Sequence, residues 1–178
     1  MRVVSLVPSL TQTLFDLGLT TEEVVGRTPW CIHPKEKIEQ VMVIGGTKTP
    51  NLNKIRSLNP DLIVMDREEN PLEIYQTLAN EGFTIFVSKV ESARDVPKML
   101  RGLGKACNRE SAGEQLALLC EDSLNQISKV RNGLRTVPLI WYEPLMAVGP
   151  NKYAGTILSL DGVDVIDTHP DGNGYPKV

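Results

Sequence analysis

The chain is short of the residues that most often carry chemistry. Its 178 residues include two histidines and three cysteines, and Cys31, Cys107 and Cys120 form neither a CxxC pair nor any other paired spacing. That pattern suggests neither a disulfide framework nor a zinc site. The GxGxxG fingerprint does not occur. Gly45-Gly46-Thr47-Lys48 resembles part of a phosphate loop, but it lacks the GxxxxGK spacing and does not open directly onto a helix, so nucleotide binding is not expected. Charge of one sign is missing too: 19 Lys and Arg stand against 22 Asp and Glu, a net charge of -3. With both signs spread along the chain there is no basic stripe for nucleic acid and no polybasic patch for a membrane surface. The apolar run VVSLV after Met1-Arg2 is too short for a signal-peptide core, and no run approaches about 18 apolar residues. Neither an export signal nor direct membrane insertion is predicted, which leaves a cytoplasmic location open.

What is present is a folded-domain composition, 41% hydrophobic, enough to bury a core. Short apolar runs at Val3 to Val7, Val24-Val25, Val41 to Ile44, Leu62 to Met65 and Phe83 to Val87 alternate with segments of helical periodicity. In the first of these segments, Leu10, Leu14, Phe15 and Leu17 follow Ser9, which with Gln12 has the form of a capping box. Asn51 is placed to cap a helix ending at Asn59-Pro60. Pro71 fits the first position of another, with Leu72, Tyr75 and Leu78 along one apolar face. This alternation predicts an α/β lobe with a parallel sheet over residues 1–90.

No strand signal occurs between Ser92 and Leu134. Ser92 is placed to cap one helix to about Ala106 and Asn108 a second, in which Leu116, Leu119, Leu124, Ile127, Val130 and Leu134 keep one apolar stripe over roughly 25 residues. Residues 91–135 are therefore expected to be connecting helices, long enough to join two lobes. Strand signals return at Val137 to Trp141 and Val163 to Ile166, with a helix between them from Tyr153 to Leu160. Residues 136–178 read as the beginning of a second parallel α/β lobe, too short to cover both faces of its sheet. The expectation is a truncated lobe, or one completed by another chain.

Few constellations suggest chemistry. Cys31 and His33 stand two apart in GRTPWCIHP, and an extended loop would turn both side chains to one side, as a soft-metal pair or a thiolate and its base. The bland alternative is a half-buried loop cysteine. His169 reads as a turn residue. Asp66 to Glu69 follow a predicted parallel strand, where open α/β sheets bind ligands, although a run of charge there is equally a solvated face. Trp30, Trp141, Tyr142 and Tyr175 all fall in predicted loops or at strand ends, which favours an aromatic-walled cleft for a large, partly apolar ligand over core packing.

RVVSLVPSLTQTLFDLGL, VVGRTPWCIHP, VIGGTKTPNLNKIRSLNPDLIVMDREEN, LANEG and PLIWYEPLMAVGPNKYAGTILSLDGVDVI with GYPKV resemble, in this order, the substrate-binding proteins of ABC importers for vitamin B12, haem and iron-siderophores. They are most similar to the cobalamin-binding branch. The resemblance implies two α/β lobes joined by a long helix, a ligand held between them, no catalysis, and an extracytoplasmic location. Cobalamin, haem or a siderophore would be cargo, not cofactor. It places Pro8 and Ser9 at the cleft floor, with the helix N-terminus toward ligand acceptors, and puts Trp30, His33, Asp66 and Glu69 in ligand-facing loops. His33 would hydrogen-bond a corrin amide or, as a weaker candidate, ligate a metal. Trp141, Tyr142 and Tyr175 would face the ligand from the second lobe. It also implies docking to an inner-membrane permease through Glu69 or Glu73. The competing expectations are the same scaffold binding haem, a siderophore or a metal ion, and a cytosolic enzyme or sensor using Cys31 and His33.

Overall fold

The β-branched run at the start of the chain becomes the innermost strand of a parallel sheet. The computed structural model describes residues 1–127, 133–169 and 174–177. In order come β1 (Val3–Ser5), α1 (Pro8–Asp16), β2 (Val24–Arg27), α2 (Lys35–Ile38), β3 (Met42–Val43), α3 (Leu52–Leu58), β4 (Leu62–Asp66), α4 (Leu72–Asn80) and β5 (Ile85–Ser88). The strands form one five-stranded sheet in the order β3-β2-β1-β4-β5, every neighbour parallel. Val3 sits opposite Val24 on one side and Leu62 on the other.

Alternation along these strands builds a core on each face. Val3, Leu62 and Val64 pack with Leu10, Leu14 and Phe15 of α1. The same cluster takes in Leu103 from α5 (Val96–Ala106), Cys107 just beyond it, and the partly buried Ala112 and Leu116 of α6 (Glu110–Gln126). On the opposite face Val4, Leu6, Ile63 and Met65 meet Ile55 and Leu58 of α3 and Leu78 of α4. The predicted parallel α/β lobe is therefore present, and its helices cover both faces of the sheet.

The chain divides into two compact units, Met1–Lys89 with Met99–Leu116, and Val90–Lys98 with Ala117–Val178. In the second unit, Ser92 opens a 3-10 turn (Ala93–Asp95) through a capping box with Asp95. The unit also holds β6 (Arg135–Thr136), β7 (Leu139–Trp141), β8 (Met146–Ala147), α7 (Tyr153–Leu160) and β9 (Asp164–Val165). β6 and β9 pair in parallel, while β7 and β8 form an antiparallel ribbon. All three residues of β7 are exposed.

Four local expectations are corrected. Ser9 does not cap α1: the cap lies two residues earlier, at Val7, with Pro8 in the first turn, because the proline ring is already set to the helical φ and has no N–H to satisfy. Asn108 does not start α6. It takes φ 54°, the left-handed conformation that asparagine tolerates, and the chain turns there before Glu110. The second helix is described as 17 residues ending at Gln126. Leu134 lies outside it, its carbonyl accepting the Asp164 N–H, and Val130 falls outside the described residues. Finally, Leu72 and Tyr75 are exposed and only Leu78 of that predicted face is buried.

Candidate functional site

Five parallel strands ending at one edge of the sheet release their loops there together. Between β1 and β4, which lie side by side, the strand order reverses direction. Such a reversal is where open α/β sheets leave a crevice beyond their carboxyl ends. The topology thus brings Pro8 and Ser9, at the start of α1, to the same edge as Asp66, Glu69 and the loop that carries Trp30 and His33.

A buried asparagine that sequence reasoning missed ties these loops to one another. Asn70 accepts a hydrogen bond from the Asp66 N–H at 2.8 Å. Its amide donates to the Thr47 carbonyl at 2.9 Å and, less closely, to the Leu6 carbonyl at 3.4 Å. One side chain therefore connects the ends of β1 and β4 with the loop after β3. Lys48 closes the same loops from outside, its Nζ donating to the Glu68 carbonyl at 2.7 Å. The Asp66 carboxylate is used inside its own turn, where Oδ1 accepts the N–H groups of Glu68 and Glu69 at 2.9 and 3.2 Å. Glu69 and Glu73 are exposed, and Glu73 lies in the first turn of α4, where a carboxylate is favoured by the helix dipole.

The loop after β2 shows which of its residues face solvent. Trp30 is 65% exposed and Ile32 63%, and His33 is exposed as well. Cys31 is 1% exposed. Its Sγ lies 3.1 Å from the Thr11 hydroxyl and 3.2 Å from the Thr28 hydroxyl, both buried. The Thr11 hydroxyl in turn is 2.8 Å from the Ser5 hydroxyl and from the Val7 carbonyl. This corrects the pairing of Cys31 with His33, because Cys31 is turned into the core between the two threonines while His33 faces solvent, so the two side chains part. Among the described residues no group of three His, Cys, Asp or Glu side chains is placed to hold a metal ion.

Burial pushes the Cys107 thiol up to about 11 and the Cys120 thiol upward, with Glu121 adding to the latter. Iodoacetamide at neutral pH is expected to label native protein at Cys120 alone, slowly, with Cys31 and Cys107 reacting only after denaturation. Peptide mapping checks this, and native modification of Cys31 would contradict the seat described for it.

In the second unit Trp141 and Tyr142 are exposed, Tyr142 by 78%, and the Trp141 indole donates to the Glu143 carbonyl at 2.9 Å. Tyr175 is half-buried, with Lys152 Nζ over its ring at 4.8 Å. His169 is exposed beside Asp167, whose carboxylate accepts its N–H.

The model of the periplasmic binding protein family matches residues 3–178. The chain belongs to that family. It is similar to the vitamin B12-binding protein of Pectobacterium carotovorum, 28% identical over 172 residues, which cover 93% of this chain and 61% of that protein. It is also similar to an uncharacterized ABC transporter substrate-binding lipoprotein of Bacillus subtilis, 31% identical over 133 residues, or 72% of this chain and 41% of the relative. The chain thus spans about three-fifths of the length of the Pectobacterium relatives it matches. The vitamin B12-binding protein of Vibrio cholerae shares the fold with a TM-score of 0.88 at 22% identity, across 99% of this chain and 69% of that one. A haem-binding protein of Roseiflexus does so with a TM-score of 0.84 at 21% identity, across 99% and 70%. The α/β architecture is thus shared with these solved proteins, and no helix among the described residues is long and apolar enough to cross a membrane.

Proposed function

We propose that the chain is the substrate-capturing component of an ABC importer, and that its cargo is a large planar metal chelate of the corrin or haem kind, with cobalamin as the leading candidate. The observation that carries this reading is Trp30: a tryptophan held out to solvent by a loop whose next residue is locked in the core, at the sheet edge where this architecture binds ligands. Leaving an indole exposed forgoes about 1.5–3 kcal/mol of burial, a sacrifice that ligand contact would recover. The relatives named for vitamin B12 support the cobalamin form of the reading.

In this reading Trp30 stacks on the ligand, Pro8 and Ser9 offer the α1 N-terminus to its polar edge, and His33 bonds an amide side chain. Trp141, Tyr142 and Tyr175 add aromatic contact, Glu69 contributes through its exposed carboxylate, and Asp66 acts by shaping the turn. No bond is made or broken in the cargo. Delivery to a permease would use the exposed carboxylates of Glu69 and Glu73, and the protein would work outside the cytoplasm. The exposure of His33 favours haem as the second reading, since an imidazole reaching solvent at the rim is available to ferric iron.

Titration with cyanocobalamin and with haemin, followed by their absorbance, decides between the two. Trp30→Ala is expected to weaken binding of the cargo by about 1–3 kcal/mol, roughly 5- to 150-fold. Haemin binding without cobalamin binding would select the second reading, and binding of neither would remove both.

A further inference from the structure

We infer that Arg27 is a positioning residue for the Trp30 loop: its guanidinium, bonded to carbonyls at both ends of that loop's first turn, holds the indole in its binding pose. The inference rests on the reading of Trp30 as a ligand contact.

Arg27 is the last residue of β2 and is half-buried. Its Nη1 donates to the Thr28 carbonyl at 3.3 Å and to the Cys31 carbonyl at 3.2 Å, while Nε donates to the Val41 carbonyl at 3.2 Å. The first two carbonyls flank Trp30 in sequence, and the third belongs to the approach to β3. The Arg27 carbonyl accepts the Ile44 N–H at 2.9 Å, so the backbone beneath the guanidinium is itself fixed. From the core side, Cys31 sits between the Thr11 and Thr28 hydroxyls. Residues 28 and 31 are thus held both by the arginine and by the thiol seat, and Pro29 and Trp30 bridge two anchored points. The exposed ring stands on backbone with little freedom to move.

Such an arrangement removes ordering that binding would otherwise have to supply, which is how preorganisation raises affinity. It also explains why arginine stands here. A planar fork with donors in fixed directions reaches several carbonyls at once, whereas a lysine ammonium on a flexible stem cannot reproduce that geometry. The charge is turned toward backbone oxygen in the structure, so the arginine acts through the loop and not on the ligand.

The test uses Arg27→Met, which keeps the length of the side chain and removes the donors, and Arg27→Lys, which keeps the charge. Trp141→Phe leaves Trp30 as the sole tryptophan, so the fluorescence anisotropy decay of the ligand-free protein then reports on that ring alone. In this background Arg27→Met is expected to increase the nanosecond motion of Trp30 well below the melting temperature, and Arg27→Lys to restore little of the lost order. With Trp141 intact, cyanocobalamin affinity is expected to fall about tenfold in Arg27→Met, and nearly as far in Arg27→Lys. Ile63→Val, a core change remote from the loop, lowers the melting temperature without altering the Trp30 decay, which separates positioning from general destabilisation. An unchanged decay in both Arg27 variants would overturn the inference, as would full recovery of affinity by Arg27→Lys, which would make the charge itself the contact. Failure of the unmodified protein to bind cyanocobalamin or haemin would remove the ligand reading, and the anisotropy would still decide whether Arg27 holds the loop. Should Arg27→Met not fold, the decay of Arg27→Lys decides the question in its place.

Discussion

Gly104→Val lowers the stability of the first unit by about 3 kcal/mol or more, the upper end of what overpacking costs. A Cβ at Gly104 would stand 2.8 Å from Gly113 Cα and 3.0 Å from the Arg109 carbonyl, and one at Gly113 would stand 2.9 Å from the Leu100 carbonyl. The obstacles are backbone atoms of the two helices and of the turn between them, so no side chain can rotate out of the way. The helices must separate, and Leu103 and Cys107, which close the core over β1 and β4, move with them. Gly104→Ala tests the balance of two opposed effects. Alanine gains up to about 1 kcal/mol of helix propensity, while the forced separation costs about 1–3 kcal/mol, so the alanine variant is also less stable, by a smaller margin. Gly102→Ala is the control. Its Cβ would meet only the Phe86 ring, at 3.3 Å, and a ring can yield, so propensity decides and the change is close to neutral. Urea unfolding ranks the three variants, and a Gly104→Val protein as stable as the original would refute the close crossing.

Asn70→Ala is expected to cost about 2–4 kcal/mol, and Asn70→Asp more. The alanine leaves the Asp66 N–H and the Thr47 and Leu6 carbonyls short of a partner in a buried setting, each loss lying within the roughly 1–3 kcal/mol range for an unsatisfied group and partly relieved by entering water. Aspartate retains the acceptor but turns a negative oxygen toward two carbonyls. Protonation supplies a donor, so the folded aspartate variant holds its proton more tightly than the unfolded chain does. Relative to the unsubstituted protein it is therefore least destabilised at low pH, and the deficit grows as pH rises through the titration of that carboxyl. Urea midpoints across the acid range check the slope, and equal midpoints for the two variants at neutral pH would contradict the bonding assigned to the amide. Either change is also expected to loosen the loops after β1, β3 and β4, and under the proposed function to weaken cargo binding with it.

Much of the first unit was legible because its determinants are local. Asn51 caps α3 as its sequence position suggests, accepting the Lys54 N–H at 3.0 Å, and Asn59 ends the helix at φ 43°. The apolar runs at Val3 and Leu62 marked strands, and both strands lie buried in the sheet. The aromatic content of loops was equally readable, since Trp30, Trp141 and Tyr142 are exposed as their placement outside helices and strand interiors suggested. What escaped the reading depends on contacts distant in sequence. Asn70 next to Pro71 looks like an ordinary turn residue, and only the pairing of β1 with β4 brings the Leu6 carbonyl within its reach. The separation of Cys31 from His33 is set by Thr11, a partner 20 residues away. The exposure of Leu72 and Tyr75 follows from where α4 meets the sheet, which the spacing of apolar residues cannot report.

The central position of β1 has a practical bearing on attachment. The strand runs from Val3 toward the loops of the candidate site, so Met1 and Arg2 lie at the opposite rim of the sheet, where the Arg2 N–H meets the Asp61 carboxylate at 2.6 Å and its Nε the Leu58 carbonyl at 2.9 Å. A tether, a purification tag or a surface-immobilisation linker joined ahead of Met1 would leave from that remote rim. The approach to Trp30 would stay unobstructed, whether the protein were held on a chip or on a bilayer.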